Sequence, residues 1–190
     1  MDLNCATPVA PYTNWATAAT SIQDAVDAAN NLDTVLVTNG VYRTGGRATS
    51  LQITNRLVVT KSITVQSVNG PDFTVIEGYQ VPGSANGDAA IRCVYLSGNA
   101  VLSGFTLTNG ATRATMDESG CGGAAYMTQS SCLTNCVLTG STAYYLGGGA
   151  HSRSYALVIQ SKLIGNSAFM GGGAHGALLD TCWIMRNSAP

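Results

Sequence analysis

The C-terminal half of the sequence repeats one motif, and this repeat restricts the possible folds more than any other feature. A glycine-rich segment recurs at residues 121–125, 147–151 and 171–175, with offsets of 26 residues from 121 to 147 and 24 from 147 to 171. Each copy is followed by short apolar runs and a turn that ends in Ser-Thr-Ala or Asn-Ser-Ala. Repeats of this length are typical of solenoids, in which each coil packs on its neighbours.

Alternation along each strand sorts the repeated positions into inward and outward columns. The inward columns are Phe105, Cys136, Ser161 and Cys182, and Leu107, Leu138, Leu163 and Ile184. The outward column is Thr106, Val137, Lys162 and Trp183. We also expect Asn166 and Asn187 to stack at a turn, where amide side chains bond along the stack.

The remaining elements fit a solenoid with a covered first coil. A helix is predicted over residues 21–31, because Ser21 suits an N-cap, Asp24 follows three residues later, and Ile22 and Val26 have helical spacing. Strands are predicted at 34–37, 57–59, 63–65, 73–76, 91–96 and 101–108. No helical pattern separates these strands, so a βαβ sheet is not expected. Among the all-β folds that remain, the repeat favours a parallel β-helix over a sandwich or a barrel. The helix is expected to cap the exposed first coil.

One domain is predicted over residues 1–190, since this length suits a single core. Its parts are an N-terminal segment with the cap helix at 1–32, early coils at 33–110, a loop at 111–120, and repeat coils at 121–190. We expect the solenoid to be truncated after the last repeat, and a removed leader to have preceded Met1.

Composition excludes several classes of protein. Charged residues make up only 10% of the chain, the formal net charge is -1 and the sequence pI is near 6.0. This charge balance lacks the excess of basic residues that is typical of proteins that bind nucleic acid. The 45% hydrophobic content is too high for a disordered chain. No apolar stretch is long enough to span a bilayer, so no transmembrane segment is predicted.

Further segments carry a family resemblance: residues 14–19, 33–37, 40–42 and 63–67. Together with the glycine repeats, they resemble the right-handed parallel β-helix proteins of the pectin-lyase-like superfamily. Within it, the chain is most similar to repeat-bearing bacterial surface proteins akin to polymorphic outer membrane proteins. The resemblance covers about residue 15 to the end and implies a right-handed, single-stranded β-helix. It does not imply one activity, because the superfamily includes polysaccharide lyases, hydrolases, epimerases and adhesin-like proteins.

The leading functional hypothesis is a secreted or cell-surface bacterial module that presents a binding surface to glycans or protein partners, adhesin-like and without catalysis. The alternative is a polysaccharide lyase or glycoside hydrolase. A third hypothesis is self-association through the last coil, where Trp183, Ile184 and Met185 leave an open edge. No cofactor is predicted, although a lyase would use calcium.

Residues suited to catalysis are few. The candidates are Asp117, Glu118, Asp180, Lys162 and Arg153. A lyase of this superfamily is expected to hold calcium with clustered carboxylates and to abstract a proton with a basic residue. No two of these carboxylates share a column. Asp117 and Glu118 interrupt the repeat, and we expect them to lie in a solvated loop.

His151 and His175 occupy the same position in two copies of the repeat. If the preceding alanines face inward, both imidazoles face solvent about 4.8 Å apart, with Tyr95 and Ala125 continuing the column. Two imidazoles can bind a transition metal when a third ligand is near, but the sequence suggests none. The candidate binding residues are Tyr95, Tyr126, His151, His175 and Trp183, with Tyr144, Tyr145 and Tyr155 as further aromatic faces.

The spacing of the six cysteines matches no zinc signature. Cys136 and Cys182 share a column but lie two coils apart, about 9.6 Å, which is too far for a disulfide. We therefore predict that both are free thiols. A disulfide from Cys121 to Cys93 or to Cys132 is neither required nor excluded by the sequence.

Overall fold

The computed structural model describes residues 1–189, which wind through three sheets in the same order in each coil. Sheet A contains Thr34–Val37, Thr64–Ser67, Val101–Ser103, Cys132–Thr134, Leu157–Ile159 and Leu178–Asp180. Sheet B contains Gly40–Tyr42, Thr74–Glu77, Thr106–Thr108, Val137–Thr139, Lys162–Ile164 and Trp183–Met185. Sheet C contains Arg47–Ala48, Thr54–Val59, Ile91–Leu96, Ala125–Met127, Ala150–Ser152 and Ala174–His175. All neighbouring strands in these sheets are parallel, except that the first two strands of sheet C are antiparallel.

The remaining elements are an α-helix at Ile22–Ala28, 3-10 helices at Trp15–Thr17 and Glu118–Gly120, and a two-stranded parallel sheet of Thr142–Leu146 and Ser167–Met170. The α-helix begins as predicted, with the Ser21 side chain accepting from the Asp24 amide. It ends three residues earlier than predicted, because Ala29 is already extended. In the described part of the chain, no helix has both the length and the apolar character needed to cross a membrane.

The predicted inward columns form the core. Leu107, Leu138 and Leu163 of the predicted columns are fully buried in sheet B, and Leu102, Leu133 and Val158 of sheet A, which were not assigned to a column, are fully buried as well. Each fills the gap between its neighbours one coil away, and burial of a leucine or valine side chain contributes about 1.5–3 kcal/mol. The apolar face of the helix, Ile22, Ala25 and Val26, joins the same core at the first coil. In the last coil described, Ile184 is 53% exposed, unlike the leucines of its column in the preceding coils.

The predicted strand at 101–108 is two strands. Gly104 has a φ of 79° and turns the chain from sheet A into sheet B between Val101–Ser103 and Thr106–Thr108. The turn keeps Phe105 fully buried, as the column assignment predicted. The apolar run alone does not reveal this turn, because the strands before and after it show the same alternation of apolar and polar residues.

The triple glycines of the repeat allow the coils to approach each other at the backbone. A Cβ atom on Gly148 would lie 2.2 Å from the Ser167 carbonyl oxygen and 2.6 Å from that of Gly172. Gly147 has a φ of 66°, a conformation that other residues adopt at a cost. The repeat is therefore dictated by close packing of consecutive coils.

The expected asparagine stack is present. The side-chain nitrogen Nδ2 of Asn166 donates to the Leu138 carbonyl at 2.8 Å. In the next coil, Nδ2 of Asn187 donates to the Leu163 carbonyl at 2.7 Å. The Asn166 side-chain oxygen accepts from the Ser141 amide at 3.0 Å. Each side chain thus satisfies backbone groups that the turn leaves unpaired.

All six cysteines are free. This confirms the prediction for Cys136 and Cys182, and it shows that Cys121 pairs with neither Cys93 nor Cys132. Cys93 is fully buried, and burial raises the pKa of its thiol to about 12. Such a thiol stays protonated and unreactive at neutral pH.

Candidate functional site

The outer face of sheet C carries a column of four rings, one from each of four successive coils. Strand register pairs Tyr95 with Tyr126, Tyr126 with His151, and His151 with His175. The two tyrosine rings stack with centroids 5.6 Å apart and an interplanar angle of 4°. The His151 ring lies 5.3 Å from Tyr126 and 5.4 Å from His175. We call these four residues the ring column.

The sequence alignment put Ala125 into this column, which is wrong by one residue. Ala125 pairs with Ala150, and both are buried on the inner side. The alignment matched Cys121 with Gly147, whereas the residue that shares the conformation of Gly147 is Gly122, with a φ of 72°. The positive φ that Gly122 and Gly147 share therefore gives the correct alignment of these two coils, whereas the run of small residues does not.

The loop at residues 111–120 folds over the ring column. Asp117 accepts hydrogen bonds from the Ser119 amide at 2.8 Å and from the Thr115 hydroxyl at 3.0 Å. The Ser119 hydroxyl also donates to Asp117, at 2.6 Å. This bond, and then the bond from the Ser119 amide, lower the pKa of Asp117, and the amide bond caps the 3-10 helix Glu118–Gly120. Asp117 itself is exposed, as predicted for this loop.

Glu118 reaches from the loop to the ring column. Its Oε2 accepts a hydrogen bond from the Tyr126 hydroxyl and lies 3.6 Å from Nε2 of His151, while its Oε1 lies 3.7 Å from Nε of Arg153. The Glu118 side chain is 37% exposed and that of His151 only 5%. The prediction that His151 faces solvent is therefore wrong, because the loop covers the imidazole, whereas Glu118 stays partly exposed in the loop.

Burial controls the electrostatics below the loop. Loss of solvent lowers the pKa of His151 to about 4, although the Glu118 carboxylate opposes this shift. The imidazole is therefore neutral at physiological pH. Burial, and then the hydrogen bond to Glu118, raise the pKa of Tyr126, which keeps its hydroxyl proton.

A fully buried arginine lies beside the ring column. Arg92 donates from Nε to the Gly122 carbonyl at 2.8 Å, from Nη1 to the Asn55 side-chain oxygen at 2.9 Å, and from Nη2 to the Cys121 carbonyl. Its guanidinium carbon lies 5.0 Å from the centre of the Tyr126 ring. Burial lowers the pKa of Arg92 to about 10, so it remains charged at neutral pH. Sequence reasoning missed this residue, although a charge within an apolar strand was the available signal.

Three side chains with metal-binding atoms meet beneath the loop. A carboxylate oxygen of Glu118, the sulfur of Cys121 and a ring nitrogen of His151 all lie within 4.8 Å of one another. Burial raises the pKa of Cys121 to about 11. Within residues 1–189 no other group of three such residues is this close. The sequence paired His151 with His175 as metal candidates, whereas the structure surrounds His151 with Glu118 and Cys121.

The other sequence candidates are dispersed. Lys162 is exposed on sheet B and Asp180 on sheet A, so neither joins the Glu118 group on sheet C. Trp183 is 65% exposed on sheet B, and Tyr95 and His175 are half-buried. Of the five catalytic candidates, only Glu118 and Arg153 come close to each other through their charged groups.

A second aromatic group lies on the two-stranded sheet and is open to solvent. Tyr144 is 42% exposed and Phe169 48% exposed, and the Tyr145 ring lies 6.5 Å from that of Phe169. The Tyr144 amide donates to the Thr112 hydroxyl at 2.9 Å, which ties this sheet to the loop at 111–120. We call Tyr144, Tyr145 and Phe169 the aromatic patch.

Comparison with protein-family models and with curated protein sequences finds no match. Among solved structures, the chain is similar to a pectin methylesterase crystallised in complex with a hexasaccharide, with 12% sequence identity and a TM-score of 0.51. The match covers 90% of this chain and 63% of the pectin methylesterase, so the chain spans just under two thirds of that protein's length. Similarity at this identity establishes the fold alone. It confirms the predicted right-handed parallel β-helix.

Proposed function

We propose that this chain is a non-catalytic, adhesin-like module of a secreted bacterial surface protein and that it binds polysaccharide. The observation that carries the proposal is the aromatic patch, in which Tyr144 and Phe169 are exposed on the two-stranded sheet. Secretion and surface location rest on the resemblance of the repeats to those of bacterial surface proteins.

Aromatic rings on a rigid surface suit sugar binding for two reasons. The faces of Tyr144 and Phe169 can cover the apolar face of a pyranose ring, and a tyrosine hydroxyl can bond to sugar hydroxyls. The rings stand at an irregularity of the two-stranded sheet, and the paired residues on either side, Ala143 with Ala168 and Leu146 with Met170, restrain this backbone, so less entropy is lost on binding. The hexasaccharide in the pectin methylesterase structure supports the proposal in one respect, since that protein of the same fold binds an oligosaccharide.

Enclosure of the titratable residues supports a non-catalytic function over the lyase or hydrolase alternative. Tyr126 is 2% exposed and His151 4%, so a polysaccharide cannot contact either while the loop is in place. Lys162 and Asp180 lie on other sheets. A general base must come within hydrogen-bond reach of the proton it removes, and these residues do not converge on an open groove.

The test is binding to a panel of neutral and acidic polysaccharides by the wild-type chain and by two single variants, Tyr144→Ala and Phe169→Ala. Truncating a ring that stacks on the sugar is expected to weaken binding roughly tenfold. Phe73→Ala is the matched control, because Phe73 is also exposed, at 57%, but lies outside the patch. Circular dichroism checks that each variant keeps the wild-type fold.

Three results would contradict the proposal. Absence of binding to every polysaccharide, or equal affinity in the patch variants and the wild type, would remove the aromatic patch as a glycan site. Release of reducing ends or unsaturated products, measured with and without calcium and abolished by Glu118→Gln, would favour the enzyme alternative instead.

A further inference from the structure

We propose that Glu118, Cys121 and His151 bind a zinc ion, which fastens the loop at residues 111–120 to sheet C. Zinc binding goes beyond the proposed glycan function and does not depend on it. The ligands come from the loop, from the residue that follows its 3-10 helix and from a strand of sheet C. One ion would therefore join elements that are far apart along the chain.

The distances suit one small ion. Nε2 of His151 and Oε2 of Glu118 are 3.6 Å apart, which is too long for a hydrogen bond. Two ligands of a tetrahedral zinc ion, each bound at about 2.0–2.3 Å, lie roughly 3.3–3.8 Å from each other. The imidazole and the carboxylate already have this separation. The Cys121 sulfur lies within 4.8 Å of both and needs to approach each of them by at most about 1–1.5 Å.

The unsatisfied imidazole of His151 is a second, independent observation. The residue is 4% exposed, and its buried Nδ1 has no hydrogen-bond partner among the described residues. Nε2 faces the Glu118 carboxylate beyond hydrogen-bonding distance. Nε2 also makes no hydrogen bond, so coordination through Nε2 would give this buried ring a polar interaction, while its Nδ1 would stay unpaired, as that of His175 does.

The charges nearby are compatible with a divalent cation. The Glu118 carboxylate and the Cys121 thiolate together neutralise its two positive charges, after the thiol has released its proton on binding. Arg92 and Arg153 are the opposing charges. Arg92 donates to the Cys121 carbonyl and not to the sulfur, and Arg153 lies 3.7 Å from Oε1 of Glu118, not from the Oε2 that faces His151. The Tyr126 hydroxyl bonds to Glu118 and orients the carboxylate, as partners of metal ligands commonly do.

The set of ligand atoms selects the metal. One sulfur, one nitrogen and one oxygen ligand suit zinc, whereas calcium and magnesium require oxygen ligands. Three protein ligands leave the fourth tetrahedral position for water. Glu118 is partly exposed, which gives a water molecule access to that position.

The experiment is metal titration of the reduced, chelator-treated full chain. Zinc is added in competition with a chromophoric chelator, and cobalt(II) is added separately to detect thiolate-to-metal charge-transfer absorption. We expect one ion per chain and a thiolate band. Cys121→Ser should abolish the band, and His151→Gln and Glu118→Gln should each weaken zinc binding by about 100-fold. His175→Gln and Cys132→Ser are matched controls outside the group of three, and both should bind as the wild type does.

Zinc binding that is absent, or that persists unchanged in Glu118→Gln, would overturn the proposal. Glu118→Gln replaces a partly exposed side chain and is expected to fold even if Cys121→Ser does not. Loss of zinc binding in His175→Gln or Cys132→Ser, with full binding in Cys121→Ser, would place the ion elsewhere and also overturn it. Glycan binding is measured separately, so failure of one proposal is distinguishable from failure of the other.

Discussion

At the scale of single residues, the site depends on groups that are buried with specific partners. Arg92 is the clearest case, because it carries a charge, is fully buried and donates to three acceptors. Two of these acceptors are carbonyls of the turn at Cys121 and Gly122, shortly before Ala125–Met127, the second strand of the ring column. Arg92 therefore holds the segment that positions Cys121 below the loop.

Arg92→Met is expected to lower the free energy of unfolding by about 2 kcal/mol or more. Removing the buried charge recovers its desolvation cost, but three buried acceptors then lose their donor, each at about 1–3 kcal/mol. Urea denaturation of the variant and the wild type measures the difference. Arg43→Met, at an exposed arginine, is the control and should change stability by less than about 0.5 kcal/mol. A variant as stable as the wild type would mean that desolvation outweighs these hydrogen bonds.

At the scale of elements, most of the coil could be predicted from the sequence, because the inward columns are marked by alternating apolar residues. Leu107, Leu138 and Leu163 are buried as predicted. The outer columns carry no such signal, so the alignment placed Ala125 in the ring column where Tyr126 belongs. The contact of Glu118 with His151 could not be predicted either, since it depends on how the loop at 111–120 folds back across the sheet.

Gly148→Ala is expected to disrupt the repeat coils. The new Cβ would lie 2.2 Å from the Ser167 carbonyl oxygen, and this contact is with backbone that the parallel ladder holds in place. We expect a loss of stability of about 3 kcal/mol or more, measured by thermal unfolding. Gly87→Ala is the matched control, because its Cβ would approach no heavy atom closer than 3.4 Å and Gly87 has no positive φ. Equal midpoints for the two variants would mean that the coils can separate without cost.

At the scale of the whole molecule, the solenoid places two different chemical environments around one loop. Beneath the loop at 111–120 are enclosed, mutually bonded groups, and beside it the aromatic patch is exposed to solvent. The Thr112 hydroxyl joins the two through its hydrogen bond from the Tyr144 amide. We therefore expect the loop to support the patch, and the ring column to stay out of contact with a polysaccharide.

Nuclear magnetic resonance tests most directly whether the aromatic patch binds the polysaccharide while the ring column does not. A chain of 19.5 kDa is small enough for this method. The measurement is the change in backbone amide shifts as an oligosaccharide from the best-binding polysaccharide is added. We predict that the largest changes fall at Tyr144, Tyr145 and Phe169, with little change at Tyr126 and His151. Changes centred on Tyr126 and His151, with none at the aromatic patch, would contradict the central claim that the exposed aromatic patch is the binding surface.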